Sequence, residues 1–456
     1  ALEPLSVEAS REILQDRPHR VLNSRFGIHL LLQILASNLS RGWKGYAGDV
    51  TAAFLCGEDL ERELYLRQPK SGLGDLHPEQ LLRIRKPIFG LVDSPSAWWQ
   101  KFHKTLKKLR VKRGGEEWMV VQSTLDHCIF MVQKINGYDS TNEPLLGTPE
   151  AYLGVHVDDV LLVGQETLCD LLKHSLSAEF PIQDWEGEKF EYVGSFIEIL
   201  EDRVKVTQAS YANTRLFQVE TRREVPDHHE ANEIEKHDNQ SLIGALSWMA
   251  SQTRPDLQVG VSMCQQCQKS PTVGDIKFTN QLARRAMEHK EEGLTFYPVN
   301  LQEAVLLCYH DAGWANVPQC EEDPFYKLTD EENQAGKLRD GPLARREAKM
   351  KKTNSTIASQ LGGLYIFVDK AVLSGAECRG SILDWRSGAC ERVCRSTFAA
   401  ETMGCGTAIE TGDFITKFLE TLLTGKLART TTRFELRFLS DCRSLYDHLT
   451  RDGVPR

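Results

Sequence analysis

Two adjacent carboxylates interrupt the apolar, β-branched run Ala151-Tyr152-Leu153-Gly154-Val155-His156-Val157-Asp158-Asp159-Val160-Leu161-Leu162-Val163. Apolar arms of this kind read as buried strands, and a sharp turn between them sets both acids at a hairpin tip. Unpaired carboxylates beside buried strands are costly, so a pair like this points to a cation to coordinate. A turn aspartate beside a strand end is the competing reading. Asp49 lies in a second strand-like run, Ala47 to Leu55, and adds a third acid. Three carboxylates on neighbouring strands can hold two divalent cations about 4 Å apart, which activates a hydroxyl nucleophile, clamps a triphosphate and stabilises attacking and leaving oxygens. Oxygen ligands without a His/Cys cluster favour Mg²⁺ over zinc.

A second acid set lies in the other half of the chain. Asp311 ends a strand that starts at Ala304, Glu401 lies in a helix over Phe398 to Thr411, and Asp441 follows a strand over Phe434 to Leu439. Singly, each reads as a surface acid. The twelve cysteines are scattered: Cys264-Gln-Gln-Cys267 has no second pair, and Cys390/Cys394 lacks the spacing to complete a zinc site. Thiols in a reducing compartment are the expectation.

The elements that must position these acids follow from periodicity. The 456 residues are enough for two or three domains, and 41% hydrophobic with 26% charged residues is ordinary globular composition. No apolar run is long enough to span a bilayer. Helices are expected over residues 24–40 (Leu30, Leu31, Ile34 and Leu35 apolar), 94–110 (opened by Ser94-Pro95-Ser96), 168–180 and 242–267, the last broken at Thr253-Arg254-Pro255-Asp256. Residues 134–148 read as a loop, 190–208 as a hairpin, 218–240 as a polar connection and 318–352 as a charged insertion. A net charge of −9 argues mildly against a non-specific nucleic-acid binder. Local clusters run the other way: Lys101 to Arg113 carries Lys101, Lys104, Lys107, Lys108 and Arg110 on a helical face, and Lys337 to Lys352 is a second basic run. Each is suited to neutralise phosphates, and each is equally a solvated face.

The surrounding segments resemble the copia-type retrotransposon reverse transcriptases. Gly48-Asp49-Val50-Thr51-Ala52-Ala53-Phe54-Leu55-Cys56-Gly57, followed by Glu63-Leu64-Tyr65-Leu66-Arg67-Gln68-Pro69, is similar to that family's first catalytic motif and its extension. Ile88-Phe89-Gly90-Leu91-Val92-Asp93-Ser94-Pro95-Ser96-Ala97-Trp98-Trp99 resembles its LYGLKQSPRAWY segment, and His156-Val157-Asp158-Asp159 its YVDD box. Tyr192-Val193-Gly194-Ser195-Phe196-Ile197-Glu198-Ile199 is similar to its YLGMEI element, and Ile243 to Leu246 with Thr253 to Asp256 to its IGSLMY…TRPDI words. Five ordered matches over residues 25–290 are more specific than any one of them. In the second half, Tyr309 to Ala315, Ser396 to Glu401 and Ser440 to Ser444 resemble the ribonuclease H domain that follows such polymerases.

The resemblance implies an α+β fold: a right-hand polymerase of palm, fingers and thumb, followed by an α/β ribonuclease H-like domain. Its expected divisions are residues 1–217 for fingers and palm, 218–302 for thumb or connection and 303–456 for the ribonuclease H-like part, truncated at both ends. It implies RNA-directed DNA synthesis and hydrolysis of RNA in RNA–DNA hybrids, with Mg²⁺ or Mn²⁺ held by Asp49, Asp158 and Asp159 and by Asp311, Glu401 and Asp441. Phe54 would stand at the steric gate against a 2′-hydroxyl, or be plain core. Tyr192 and Gly194 would lie near the primer end. RNA template, DNA primer, hybrid and dNTPs are the implied partners, with protease and integrase segments upstream in a polyprotein, no membrane, and an intracellular particle or nuclear location. The chain departs from the pattern at His156, where the family has Tyr. It also lacks a basic fingers segment (Arg17, Arg20 and Arg25 being poor substitutes) and a downstream fourth carboxylate, for which Asp452 stands too close to Asp441. These departures favour a polyprotein fragment or a decayed or recruited copy without turnover. A two-metal phosphatase or nuclease using only the acids would not carry the polymerase-like words.

Overall fold

The computed structural model describes residues 25–313 and 359–451 apart from residues 61, 75, 78, 223, 391, 393, 395 and 429–431. Arg17, Arg20, the insertion 318–352, the basic run Lys337 to Lys352 and Asp452 lie outside the described residues. The chain is a mixture of helix and sheet, as expected, and falls into two compact units. Helix α1 (Arg25–Asn38) opens the described residues, and its Leu30, Leu31, Ile34 and Leu35 are fully buried.

The first unit is built on residues 43–187. Its strands are β1 (Trp43–Val50), the short pair β2 (Leu64–Leu66) and β3 (Leu82–Ile84), then β4 (Arg110–Arg113), β5 (Glu116–Gln122), β6 (Ile129–Tyr138), β7 (Pro144–His156), β8 (Asp159–Gln165) and β9 (Ile182–Gly187). Apart from β2 and β3 they form one seven-stranded antiparallel sheet, in the order β4-β5-β6-β7-β8-β1-β9. Two helices, α2 (Ser94–Lys108) and α3 (Glu166–Glu179), pack on it. Trp98, Phe102 and Leu106 recur at helical spacing on α2, as do Leu168, Leu172 and Leu176 on α3. They share a core with Val120, Phe130, Val132, Leu153, Val155, Val160 and Leu162 of the strands.

Two sequence readings are corrected here. The strand expected over Ala47 to Leu55 ends at Val50, because Ala52 turns the backbone to φ +52° and a 3₁₀ turn over Ala53–Cys56 follows. The polar stretch 134–148 is a hairpin arm rather than a loop. β6 and β7 pair out to Tyr138 and Pro144, and Asp139 closes the tip by accepting from the amides of Thr141 and Glu143.

The second unit holds residues 29–42, 188–421 and 426–456. A four-stranded antiparallel sheet, β10 (Lys189–Tyr192), β11 (Ser195–Ile199), β12 (Val204–Thr207) and β13 (Gly293–Phe296), runs in sequence order. Between its last two strands lie α4 (Ala209–Arg215), α5 (Glu233–Gln252), α6 (Gln258–Cys267) and α7 (Val273–Glu288). The stretch 218–240, read as a polar connection, in fact contains the start of α5: Asn232 and Glu235 form a reciprocal capping box that nucleates the helix from polar residues. Arg254, only 1% exposed, is held by both oxygens of Asp256 at 2.8 Å and donates to the His289 carbonyl at 2.7 Å. A buried guanidinium needs that full set of acceptors.

The remaining elements are β14 (Ala304–Gly313), β15 (Gln360–Asp369), β16 (Ser381–Ala389), α8 (Thr397–Thr424), β17 (Glu435–Leu439) and α9 (Arg443–Leu449). The sheet order is β16-β15-β14-β17, with β17 parallel to β14 and the other pairs antiparallel. A parallel pair needs a crossover, and α8 supplies it. A Cβ at Gly412 of α8 would lie 2.8 Å from the Cys308 sulfur, so glycine there lets the helix approach β14.

Truncating Phe102→Ala is expected to lower the unfolding free energy of the first unit by about 3–5 kcal/mol, read as a fall in denaturant midpoint with an unchanged slope.

Candidate functional site

The register of β1 against β8 sets Asp49 directly opposite Asp159, and the Val50 amide donates to the Asp158 carbonyl at 3.0 Å. Residues opposite one another in an antiparallel pair share a face, and like charges there repel. Burial, and then the Asp158 charge, push the Asp49 carboxyl above its ordinary value. On its other edge β1 shifts register against β9 between Gly48 and Val50, so Asp49 is skipped in that pairing. Such a bulge re-aims a side chain. A Cβ on Gly48 would sit 2.9 Å from the Trp185 ring, which is why the residue before the acid has none.

The hairpin tip is the two-residue turn Val157-Asp158 between the paired His156 and Asp159. Val157 takes φ +54°, a left-handed conformation that a β-branched residue rarely adopts. The Trp98 indole, buried in the core, donates to the Val157 carbonyl at 2.6 Å and holds the turn. Strain of this kind persists only where surrounding contacts over-determine it, and it clusters at functional sites. The sequence marks Trp98 as a helix aromatic but carries no signal for a hydrogen bond between residues so far apart. His156 is half-buried. Its Nδ1 has no partner among the described residues, and burial lowers its pKa against the opposing pull of Asp158.

Phe54 is half-buried, its ring tilted against that of the exposed Phe89 at 5.8 Å. Lys101, Lys104, Lys107 and Lys108 line the side of α2 away from the buried Trp98, Phe102 and Leu106. Lys104 pairs with Glu58 at 3.5 Å, while Arg110, expected on the same helical face, instead begins β4 because the helix ends at Lys108, and it donates to the carbonyls of Lys107 and Leu109. In the second unit, Tyr192 is 3% exposed in the β10–β13 sheet and pairs with Ser195. Val193 and Gly194 form the intervening turn with φ +50° and +67°, and Gly194 meets the need for a positive φ without strain.

Within the second unit, Asp311 on β14, Glu401 on α8 and Asp441 after β17 come together. They are the one group of three or more His, Cys, Asp or Glu among the described residues whose ligand atoms all lie within 4.8 Å of one another. The Asp49, Asp158 and Asp159 carboxylates do not converge that tightly. Asp311 and Asp441 are exposed and Glu401 is buried, its Oε2 without a hydrogen-bond partner among the described residues. Burial and then the Asp311 charge raise the Glu401 carboxyl, Asp441 adds to the rise, and the Ala312 amide opposes it. A buried carboxylate oxygen with no donor, facing two further acids, is a ligand set suited to a hard divalent cation. A cavity of about 810 Å³ opens beside Asp311 and Asp441, lined also by Tyr309, Gly362 and Arg386.

Residues 24–223 match the family model described as reverse transcriptase (RNA-dependent DNA polymerase). The chain is 25% identical over 297 residues to the retrovirus-related Pol polyprotein from transposon RE2 of Arabidopsis thaliana, covering 62% of this chain and 18% of that protein. It is 24% identical to the corresponding RE1 polyprotein of the same plant, with the same coverage. A putative transposon Ty5-1 protein of Saccharomyces cerevisiae is 24% identical over 259 residues, 52% of this chain and 74% of that protein. The chain thus spans less than a fifth of the two plant polyproteins.

Two stability outcomes follow. Val157→Gly should raise the unfolding free energy by about 1 kcal/mol by relieving the positive φ, measured by denaturant titration. A carboxyl whose folded pKa is raised destabilises the fold above that pKa and ceases to do so as pH falls through it. Without divalent cations, Glu401→Gln should therefore raise the melting temperature at neutral pH. The difference from the unmutated chain should shrink as pH falls through the carboxylate range. A lower melting temperature at every pH would contradict this account of the cluster.

Proposed function

Because residues 24–223 belong to the reverse transcriptase family, we propose that the chain is the polymerase and hydrolase segment of a copia-type retrotransposon Pol polyprotein. It extends a DNA primer on an RNA template with dNTPs, and it cleaves RNA in RNA–DNA hybrids. The observation that carries the polymerase reading is the β1/β8 register, which sets Asp49 opposite Asp159 with Asp158 at the adjoining turn, inside the family-matched region. The hydrolase reading rests on the Asp311, Glu401 and Asp441 cluster and on its partnerless Glu401 oxygen.

Asp49, Asp158 and Asp159 would hold Mg²⁺ or Mn²⁺ in the first site, and Asp311, Glu401 and Asp441 in the second. Bound cations there supply charge neutralisation of phosphate oxygens and activation of the attacking hydroxyl or water. The chain's own part is positional. The bulge at Asp49 and the Trp98-held turn fix two carboxylates before substrate arrives, so little reorganisation is needed at the moment of reaction. Phe54 stands five residues beyond Asp49, half-buried, as a ring against which a 2′-hydroxyl would clash. The α2 lysines offer phosphate contacts that fix register without reading sequence.

A second reading, a chain that keeps the fold and binds nucleic acid without turnover, is favoured by one observation: the three acids of the first unit do not converge as tightly as those of the second.

Primer extension on poly(A)/oligo(dT) with Mg²⁺ separates the two. The unmutated chain should extend, and Asp158→Asn/Asp159→Asn should lose about 10²-fold or more of the rate; extension surviving in that double variant would remove these acids from the site. Cleavage of a labelled hybrid should likewise disappear on Glu401→Gln. Hybrid binding with neither extension nor cleavage would establish the second reading instead.

A further inference from the structure

Cys390 follows the end of β16, and Cys394 lies just before the start of α8. Both are thiols, with their sulfurs 3.8 Å apart. Cys394 is 3% exposed, whereas Cys390 is partly open to solvent. The Cys390 amide donates to the Ser359 carbonyl at 2.7 Å, which fixes this end of the pair against the start of β15. Cys394 shares a small buried cluster with Ala312 and Ala400, and Cys390, Leu361 and Met403 pack against it. Ala312 is the residue after Asp311, and Ala400 is the residue before Glu401. The thiol pair is therefore packed on the backbone that carries two of the three clustered carboxylates.

We propose that Cys390 and Cys394 are a reversible oxidation site, closing to a disulfide and thereby disturbing the Asp311, Glu401 and Asp441 cluster. This rests on the hydrolase reading only for its catalytic consequence. The oxidant is a low-molecular-weight disulfide. The Cys390 thiolate attacks one of its sulfurs, forming a mixed disulfide and releasing one thiolate. The Cys394 thiolate then attacks the Cys390 sulfur and releases the second. Two protein thiols lose two electrons and two protons, and the small disulfide becomes two small thiols. Cys390 is the entry point because it is accessible, and Cys394, its sulfur 3.8 Å away, is placed for the second, intramolecular step. Closing the bond draws sulfurs 3.8 Å apart to about 2.05 Å. A close-packed cluster transmits such a movement to its neighbours, and a ligand misplaced by about 1 Å is enough to cost a large factor in rate.

The test uses the full 456-residue chain treated with oxidised glutathione, with remaining thiols then alkylated. Intact mass and peptide mapping should show loss of two hydrogens and a Cys390–Cys394 link that dithiothreitol reverses. Cys390→Ser and Cys390→Ala, both at a partly exposed position, should each prevent the link. The rise in melting temperature on adding Mn²⁺ alone should be smaller in the oxidised chain than in the reduced chain, and equal in oxidised and reduced Cys390→Ser. Where hybrid cleavage is measurable, oxidation should slow it roughly tenfold or more. No link, or a glutathione adduct on Cys390 that never resolves, overturns the site. A link that leaves the Mn²⁺ response unchanged overturns the coupling. Because mass and Mn²⁺ response need no turnover, absence of cleavage would count against the hydrolase reading alone.

Discussion

The register between β1 and β8 is the constraint on which the first unit's chemistry depends. A shift by one residue would turn Asp49 to the opposite face of the sheet and separate it from Asp159. Val160 and Leu162 pack in the core with Trp98 and Phe102, and Leu161 and Val163 are equally buried on the other face, so a slip would have to exchange two close-packed faces at once. Core packing thus enforces an arrangement that electrostatics alone opposes, with two carboxylates facing each other across a ladder. The raised pKa of the Asp49 carboxyl comes from burial and then from the charge of Asp158 at the adjoining turn.

The turn adds a second enforced feature. Val157 holds a positive φ at the tip of a hairpin whose arms are fixed by pairing from His156 back to Ala151. A glycine would relax it. The Trp98 indole, fixed in the core by α2, accepts the burden by bonding the Val157 carbonyl. Ala52, also at positive φ, turns the chain out of β1 just after Asp49. Strained backbone therefore borders the acid group on both contributing segments, the distribution expected of a site whose geometry is set in advance.

The second unit reaches a carboxylate cluster by a different route. Asp311 and Asp441 lie on or just after adjacent parallel strands, and the crossover helix α8 brings Glu401 beside them. Here one acid is buried with an oxygen that no described donor satisfies, so solvation as well as repulsion makes the group suited to a cation. The neighbouring Cys390 and Cys394 pack on the same stretch of backbone, which ties the state of two thiols to the position of two acids.

The sequence alone determined which residue types are available for chemistry, and periodicity placed α1, α2, β8, β14 and β17 within a few residues of where they stand. Apolar alternation and helical spacing are local signals, and these elements bury the faces those signals mark. Polar segments misled it. The outer end of the β6–β7 hairpin, residues 134–148, and the start of α5 carry few apolar residues, and they are held by pairing and by a capping box rather than by a buried stripe. Only the tertiary structure decided that Asp49 faces Asp159, that Trp98 reaches Val157, that Tyr192 is buried, and that Glu401 is buried where it meets Asp311 and Asp441. Each of these depends on register or on contacts between residues far apart in the chain, and no window of local sequence contains both partners.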